Sequence, residues 1–129
     1  MTHRFGLRVY YEDTDLAGIV YYANYLKFIE RGRSEWVREM GVDQAAMKRD
    51  EGVVFAVRRV EADYRSPAHY DDELVVTTQV DAVTGARLVL RQTVERQGDV
   101  LFEASVTIVA IGESGAPARL PAAFRRNLH

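Results

Sequence analysis

The chain of 129 residues contains no cysteine, and this absence removes several kinds of chemistry together. Without thiols it has no disulfide framework, no thiolate-held metal site and no cysteine nucleophile. Histidine is also scarce, and His3, His69 and His129 lie far apart in the sequence. Their spacing disfavours a zinc site or a catalytic triad, and His69 is interpreted as a solvated loop residue. We therefore predict no metal site.

An excess of basic charge and long apolar runs are missing as well. Seventeen basic and nineteen acidic side chains give a formal net charge of −2, so we expect no nucleic-acid partner. No apolar run approaches the roughly eighteen residues of a membrane span, and the N-terminal segment lacks the apolar core of a signal peptide. We expect one domain spanning residues 1–129, located in the cytoplasm.

The most informative stretch is residues 9–25, VYYEDTDLAGIVYYANY. Within it, Asp15-Leu16-Ala17-Gly18 suits a type I turn, because Asp is favoured at the first position of such a turn and Gly at the fourth. This turn places a carboxylate on a tight loop just before a predicted helix. If the helix begins near Tyr22 or Ala23, its first N–H groups have no internal partner and could polarise a carbonyl oxygen.

Asp15 has two interpretations from the residues alone. It is either a turn aspartate that caps nearby backbone N–H groups, or a general base or nucleophile acting on an activated carbonyl. A calcium loop is disfavoured, although Asp13, Asp15 and Gly18 match its positions 1, 3 and 6. Ala17 stands at position 5 of that loop, and Asn24 replaces the bidentate Glu at position 12.

Hydrophobic periodicity predicts a first strand over residues 3–11 and then a long helix that ends before Gly41. One face of this helix carries Leu26, Ile29, Trp36, Val37 and Met40, completed by Gly32 and Arg33. A short second helix is predicted at 43–50, with Asp43 as its N-cap.

The rest of the chain alternates as strands over 53–64, 74–82, 88–94 and 100–111. A loop with one helical turn at 121–127 follows. These elements predict an α+β fold in which a five-stranded antiparallel sheet covers one long helix. Edge strands, together with Val89 and Val109 that lack obvious cover, favour pairing with a second copy.

A family resemblance rests on Asp13-Thr14-Asp15-x-x-Gly18-x-Val20-x-Tyr22-x-x-Tyr25 followed by a helix. This motif resembles the signature of the 4-hydroxybenzoyl-CoA thioesterase-like branch of the hotdog-fold superfamily. Within that branch, YYEDTDLAGIVYYANYLKFIERGRSEW is most similar to the bacterial Tol-Pal-associated acyl-CoA thioesterases. The matching segments in the strands are Val54-Phe55-Ala56-Val57-Arg58, Tyr64-x-x-Pro67-Ala68 and Asp71-Asp72-x-Leu74.

The resemblance implies a hotdog fold and hydrolysis of acyl-CoA or acyl-carrier thioesters without a cofactor or metal. It implies that Asp15 is catalytic and that the backbone N–H of Tyr22 contacts the thioester oxygen. The implied substrate-binding residues are Gly18, Val20, Tyr25 and Arg87.

Two positions depart from the family pattern. Tyr22 stands where many Tol-Pal-type members carry His and the hydroxybenzoyl type carries Tyr, so the preferred acyl group stays open. The turn before the fourth strand has one cation, Arg87, where hydroxybenzoyl-type relatives have a basic cluster. Further candidates for contacting the CoA phosphates are Arg58, Arg59, Arg65 and Arg91.

The resemblance also supports a homodimer or homotetramer with the site between subunits. Two alternatives remain for the function. A hotdog dehydratase is disfavoured because it would use a histidine on or near the helix, and no histidine lies between residues 4 and 68. The other alternative is a non-catalytic binding or assembly module in which Asp15 is inert.

Overall fold

The computed structural model describes residues 1–127, with side chains as far as Phe124. A short 3-10 turn at Tyr11–Asp13 follows the first strand, so that strand ends three residues before its predicted end. The predicted turn at 121–127 is present as a third helix, whereas His129 lies outside the described residues. The elements are β1 His3–Arg8, α1 Asn24–Glu39, α2 Gln44–Glu51, β2 Val54–Tyr64, β3 Glu73–Val83, β4 Arg87–Arg96, β5 Asp99–Ile111 and α3 Ala122–Asn127.

All five strands form one antiparallel sheet in the order β1-β3-β4-β5-β2. β3, β4 and β5 are consecutive antiparallel neighbours and form a meander. β1 pairs only with β3 and β2 only with β5, so these two strands are the edges of the sheet. The predicted α+β fold, with five antiparallel strands against one long helix, is therefore confirmed.

α1 packs against β1, β3 and β4 and supplies much of the core. Glycine at position 32 allows this close packing, because a Cβ there would lie 2.5 Å from Cγ1 of Val76. The apolar spacing of three and four residues is that of an amphipathic helix. The buried residues of α1 are Tyr25, Phe28, Ile29, Gly32, Trp36 and Val37.

The predicted stripe of α1 is wrong at one position, because Leu26 is exposed. Tyr25 stacks on Phe102 in the core, with ring centroids 5.1 Å apart. Successive residues of a helix are about 100° apart around its axis, so burying Tyr25 turns Leu26 away from the sheet.

Both ends of the α1–α2 connection follow the sequence signals. Gly41 adopts a φ of 84°, just after the last residues of α1, as its predicted role as a helix terminator requires. The Asp43 carboxylate accepts a hydrogen bond from the Ala46 N–H at 3.0 Å and caps α2.

The inner face of β2 is left open in a single chain. Val57, Val60 and Tyr64 are 48%, 39% and 48% exposed, although their partners on β5 are buried. The cause is the position of α1, which lies on this inner face over β1, β3 and β4 and leaves β2 uncovered. On the outer face, Val89 and Val109 are half-buried. Within residues 1–127, no helix has the length and apolar character needed to span a membrane.

Candidate active site

Two loops meet at one end of the sheet. We call residues 9–23, between β1 and α1, the Asp15 loop, and residues 65–72, between β2 and β3, the His69 loop. The Val9 N–H donates to the Asp72 carbonyl at 2.9 Å, and the Val20 N–H donates to the Ala68 carbonyl at 2.8 Å. Ile19 and His69 form a further antiparallel bridge. The two loops are therefore joined to each other by backbone hydrogen bonds.

Asp13 closes the Asp15 loop through both its side chain and its backbone. Its carboxylate accepts a hydrogen bond from the Tyr10 N–H at 2.8 Å. Its carbonyl accepts two more, from the Tyr21 N–H and from Nδ2 of Asn24, each at 2.9 Å. Asp13 is thus a structural residue that ties the start of the loop to the start of α1.

Asp15 lies on the predicted turn. The Gly18 N–H donates to the Asp15 carbonyl at 3.0 Å, and Gly18 has a φ of 81°, which favours glycine. Oδ1 of Asp15 accepts a hydrogen bond from the Ala17 N–H at 2.9 Å. Within the described residues Oδ2 has no hydrogen-bond partner, and the residue is half-buried. Asp15 therefore caps its own turn with one oxygen and keeps the other available.

The start of α1 is irregular, and this irregularity leaves donors free. The helix begins at Asn24, one residue after Ala23 and two after Tyr22, the two predicted starts. The Asn24 N–H donates to the Tyr21 carbonyl, and the Leu26 N–H donates to the Ala23 carbonyl at 3.2 Å. The N–H groups of Tyr22 and Ala23 have no acceptor in the described part of the chain. They are the free donors that the sequence predicts at this helix start.

Val20 and Tyr25, two of the predicted substrate-binding residues, are 2% and 3% exposed. The Tyr25 hydroxyl accepts a hydrogen bond from the Ala68 N–H at 3.0 Å. Burial raises the pKa of Tyr25, and the bond from Ala68 only partly offsets this. Both side chains belong to the core, so in a single chain they expose almost none of their surface.

Arg87 lies far from Asp15 within one chain. It pairs with Val109 on β5, whereas Tyr64 beside the Asp15 loop pairs with Phe102. Seven residues of strand separate Phe102 from Val109, which is about 23 Å. A single chain therefore does not bring Arg87 to the same site as Asp15.

Three of the four further arginine candidates already have carboxylate partners. Arg59 pairs with Glu61 at 2.6 Å, while Arg65 and Arg91 share Glu103 at 3.3 and 2.9 Å. Arg58 forms no ion pair with the described residues and lies exposed at the bulge of β2.

The His69 loop is braced by an ion pair that the sequence did not reveal. Nη1 of Arg96 donates to Oδ2 of Asp72 at 2.8 Å, and the His69 N–H donates to the same oxygen at 2.8 Å. Burial alone would raise the pKa of Asp72, but these hydrogen bonds and the charge of Arg96 outweigh it and hold that pKa below its ordinary value. No cluster of three or more His, Asp or Glu side chains within the described residues is arranged to hold a metal ion.

Tyr64 and Asn24 contribute to the site without having been predicted. Tyr64 donates its hydroxyl hydrogen to the Tyr22 carbonyl at 3.0 Å. Asn24 donates to the Asp13 carbonyl. The sequence does place Tyr64 in a segment that resembles the family, but its partner is 42 residues away and no local pattern reveals that contact.

A separate cavity of about 220 Å³ lies under the C-terminal half of α1. Nη1 of Arg33 reaches the fully buried Gln92 at 3.0 Å, and Gln92 in turn donates to Thr78 and to the Ile29 carbonyl. The larger apolar side chains of the lining are Trp36, Val37, Phe55, Val57, Leu88, Ile108 and Phe124.

The combination of a long helix packed on a five-stranded antiparallel sheet, with a carboxylate loop at the helix start, defines a hotdog-type fold. The model of the thioesterase superfamily, 4HBT, matches residues 17–103. The chain belongs to this superfamily, which confirms the resemblance drawn from the Asp15 motif.

Similar proteins carry thioesterase names. An acyl-CoA thioesterase YbgC of Haemophilus influenzae is 38% identical over 83% of this chain and 79% of its own length. An acyl-CoA thioester hydrolase YbgC of Escherichia coli O157:H7 is 40% identical over 84% of this chain and 81% of its own.

Solved structures show the same fold. A probable thioesterase from Bartonella henselae superposes with a TM-score of 0.90 at 40% identity, covering 94% of this chain and all of that one. A 1,4-dihydroxy-2-naphthoyl-CoA thioesterase from Synechocystis has a TM-score of 0.89 at 21% identity, covering 97% of this chain and 93% of that one, and supports the fold alone.

Proposed function

We propose that this protein hydrolyses the thioester bond of acyl-CoA or acyl-carrier substrates. The observation that carries the proposal is that one loop contains both a carboxylate oxygen and backbone N–H groups without hydrogen-bond partners. Oδ2 of Asp15 has no partner in the described residues, and neither do the N–H groups of Tyr22 and Ala23, which lie on the other arm of the same loop. The names and similarity of the relatives add support.

In the proposed reaction the Tyr22 N–H polarises the thioester carbonyl oxygen, and the positive end of the α1 dipole lies at the same place. Asp15 acts in one of two ways. As a general base it takes a proton from water, whose oxygen adds to the carbonyl carbon. The C–S bond then breaks, and the CoA thiolate recovers the proton.

Asp15 acting as a nucleophile is the second route. Its oxygen forms a mixed anhydride while the thiolate leaves, and water then cleaves that anhydride. Both routes give a carboxylic acid and free CoA, and neither needs a cofactor.

The proposal includes a homodimer formed through the open edge strand β2. Antiparallel pairing of two β2 strands about a two-fold axis would place Tyr64 of one copy near the Val54 end of the other. Arg87 lies at that same end of its own sheet, since it aligns with Val109 and Ala56. Arg87 of one copy would then serve the Asp15 loop of the other. Val89 and Val109 on the outer face suit a further pairing into a homotetramer.

The proposal also includes an association with the Tol-Pal system and a cytoplasmic location. The association with the Tol-Pal system comes from the resemblance of the Asp15 motif. A cytoplasmic location follows from acyl-CoA substrates, which are intracellular metabolites. We propose no preferred acyl group, because Tyr22 does not distinguish between the Tol-Pal type and the hydroxybenzoyl type.

A thiol-release assay on a panel of acyl-CoA esters, from short and long aliphatic to aromatic, tests the proposal. We expect turnover of at least one class of thioester by the purified protein, with release of one free thiol per ester cleaved. A protein that cleaves no acyl-CoA or acyl-carrier thioester would favour the binding-module alternative.

A further inference from the structure

Tyr64, the last residue of β2, makes a contact that the proposed reaction does not yet use. Its hydroxyl donates to the Tyr22 carbonyl oxygen at 3.0 Å. Its ring packs edge-on against Phe102 and Tyr25, with centroids 5.0 and 5.5 Å away. The ring is therefore held from the core side while its hydroxyl reaches the backbone at the start of α1.

The Tyr22 carbonyl is available to Tyr64 because α1 does not use it. In a regular α-helix this carbonyl would accept the N–H of the residue four positions on, which is Leu26. Here the Leu26 N–H donates to Ala23 instead. Tyr64 thus takes the position that a helical N–H would otherwise occupy.

This contact also fixes the direction of a donor. The carbonyl of Tyr22 and the N–H of Ala23 belong to one planar trans peptide, so they point in opposite directions. Holding the carbonyl toward β2 points the Ala23 N–H away from it. The orientation of the adjacent Tyr22 N–H is coupled to the same peptide through the backbone of Tyr22.

We propose that Tyr64 is a positioning residue that orients the N–H groups of Tyr22 and Ala23 toward the thioester oxygen. The inference rests on the proposed thioester hydrolysis. Tyr64 acts through the peptide and does not touch the reacting atoms. Without its hydroxyl, the Tyr22 carbonyl is free to accept the Leu26 N–H, which would extend α1 and turn the donors aside.

The protonation of Tyr64 is consistent with this role. Burial of its ring, reinforced by the neighbouring Tyr22 and Tyr25, raises the pKa of the Tyr64 phenol above its ordinary value. The phenol therefore keeps its proton across the neutral pH range and remains a donor.

Tyr64→Phe removes this hydroxyl and keeps the ring that packs against Phe102 and Tyr25. Loss of one oxyanion donor costs about 10²–10³ in kcat, so a misdirected donor should cost about 10- to 100-fold. We expect that loss in kcat with KM changed by less than about threefold, because the interaction acts in the transition state. Tyr70→Phe, which removes an exposed hydroxyl from the His69 loop, is the matched control and should leave both constants unchanged.

A second measurement reports the hydrogen bond without needing activity. The carbonyl ¹³C chemical shift of Tyr22 should change in Tyr64→Phe and stay as in the wild type in Tyr70→Phe. An active wild type with kcat unaffected by Tyr64→Phe would overturn this inference alone, as would an unchanged Tyr22 shift. A rise in KM with kcat intact would overturn it as well, since Tyr64 would then bind substrate. A wild type that cleaves no thioester would overturn the proposed function together with the inference.

Discussion

Asp13 and Asp15 carry the same charge two positions apart, yet their carboxylates have different surroundings. The carboxylate of Asp13 receives the Tyr10 N–H, and its backbone carbonyl is held by Tyr21 and Asn24. Oδ1 of Asp15 accepts the Ala17 N–H, whereas Oδ2 has no hydrogen-bond partner in the described residues. On this difference we base the proposal that Asp13 is a structural residue and that Asp15 is the catalytic one.

Asp15→Asn should therefore abolish most turnover while the protein stays folded. Asn retains an acceptor oxygen for the Ala17 N–H, so the turn is preserved. It cannot act as a base at neutral pH and is a poor nucleophile, and loss of a general base typically costs about 10²–10⁴-fold in rate. The measurement is kcat in the thiol-release assay, with thermal unfolding as a check on the fold.

Asp13→Asn is the control because it removes the same charge from the same loop. It should retain most of kcat, while a weakened hydrogen bond to Tyr10 could lower the free energy of unfolding by about 1 kcal/mol. If Asp15→Asn keeps more than about a tenth of the wild-type kcat, the catalytic assignment is wrong, because general-base loss costs more than that.

At the scale of elements, the Asp15 loop depends on the His69 loop, and the His69 loop depends on Asp72. The carboxylate of Asp72 receives the His69 N–H and Nη1 of Arg96. Arg96 also reaches the Pro67 carbonyl at 3.4 Å, so one guanidinium on β4 braces both ends of the loop. The carbonyls of Ala68 and Asp72 then receive N–H groups of the Asp15 loop.

Asp72→Asn should lower the free energy of unfolding by about 1–2 kcal/mol at pH 7, since it removes a charged hydrogen-bond acceptor. Because the pKa of Asp72 is depressed in the folded state, its stabilisation is present above the unfolded value of about 3.9 and is lost as the pH falls through the folded value. The difference between wild type and variant should thus be full above about pH 5 and shrink below about pH 4. Urea unfolding over that pH range measures it.

Asp71→Asn is the control for this ion pair. Asp71 pairs with Arg8, and both side chains are largely exposed, so its loss should cost less than about 0.5 kcal/mol. Its φ of 69° is one that asparagine tolerates. A difference for Asp72→Asn that does not shrink in acid would contradict the role of its charge.

The sequence predicted the elements well because each depends on local signals. Turn residues such as Gly41 and Asp43, and the alternation of β3 to β5, act within a few positions of the chain. Several features that the sequence did not predict depend on contacts between distant segments. Leu26 is turned outward because Tyr25 stacks on Phe102, and α1 starts late because Tyr21, Asn24 and Tyr64 hold its first residues in other hydrogen bonds.

At the scale of the whole molecule, the open edge of β2 is the feature that a single chain leaves incomplete. Val57 and Val60 are exposed on the inner face of β2, and this edge strand pairs with a neighbour on one side only. Such an edge favours pairing with another strand unless charges or cover block it.

Val60→Glu should therefore dissociate the proposed dimer and remove activity, because it places a charge in the apolar contact between the two copies. Val89→Glu puts the same charge on the outer face, away from the proposed dimer contact. It should at most reduce a tetramer to dimers, and these dimers should keep more than about half of the wild-type activity. Sedimentation velocity at micromolar concentration, with the thiol-release assay, separates the two variants. An active monomeric wild type would contradict the dimer.

The location of Arg87 can be tested by mixing two impaired chains. If Arg87 of one copy serves the Asp15 loop of the other, a heterodimer of Asp15→Asn with Arg87→Ala contains one site in which both residues are intact. Random exchange of subunits should then restore about a quarter of the wild-type kcat/KM, since about half of the dimers are mixed and each mixed dimer has one good site of two. If Arg87 instead served its own chain, every site in the mixed dimer would carry one substitution. Co-expression with two affinity tags isolates the heterodimer, in which one good site of two should give about half of the wild-type kcat/KM. A kcat/KM no higher than that of either parent would show that the two residues do not meet across the interface.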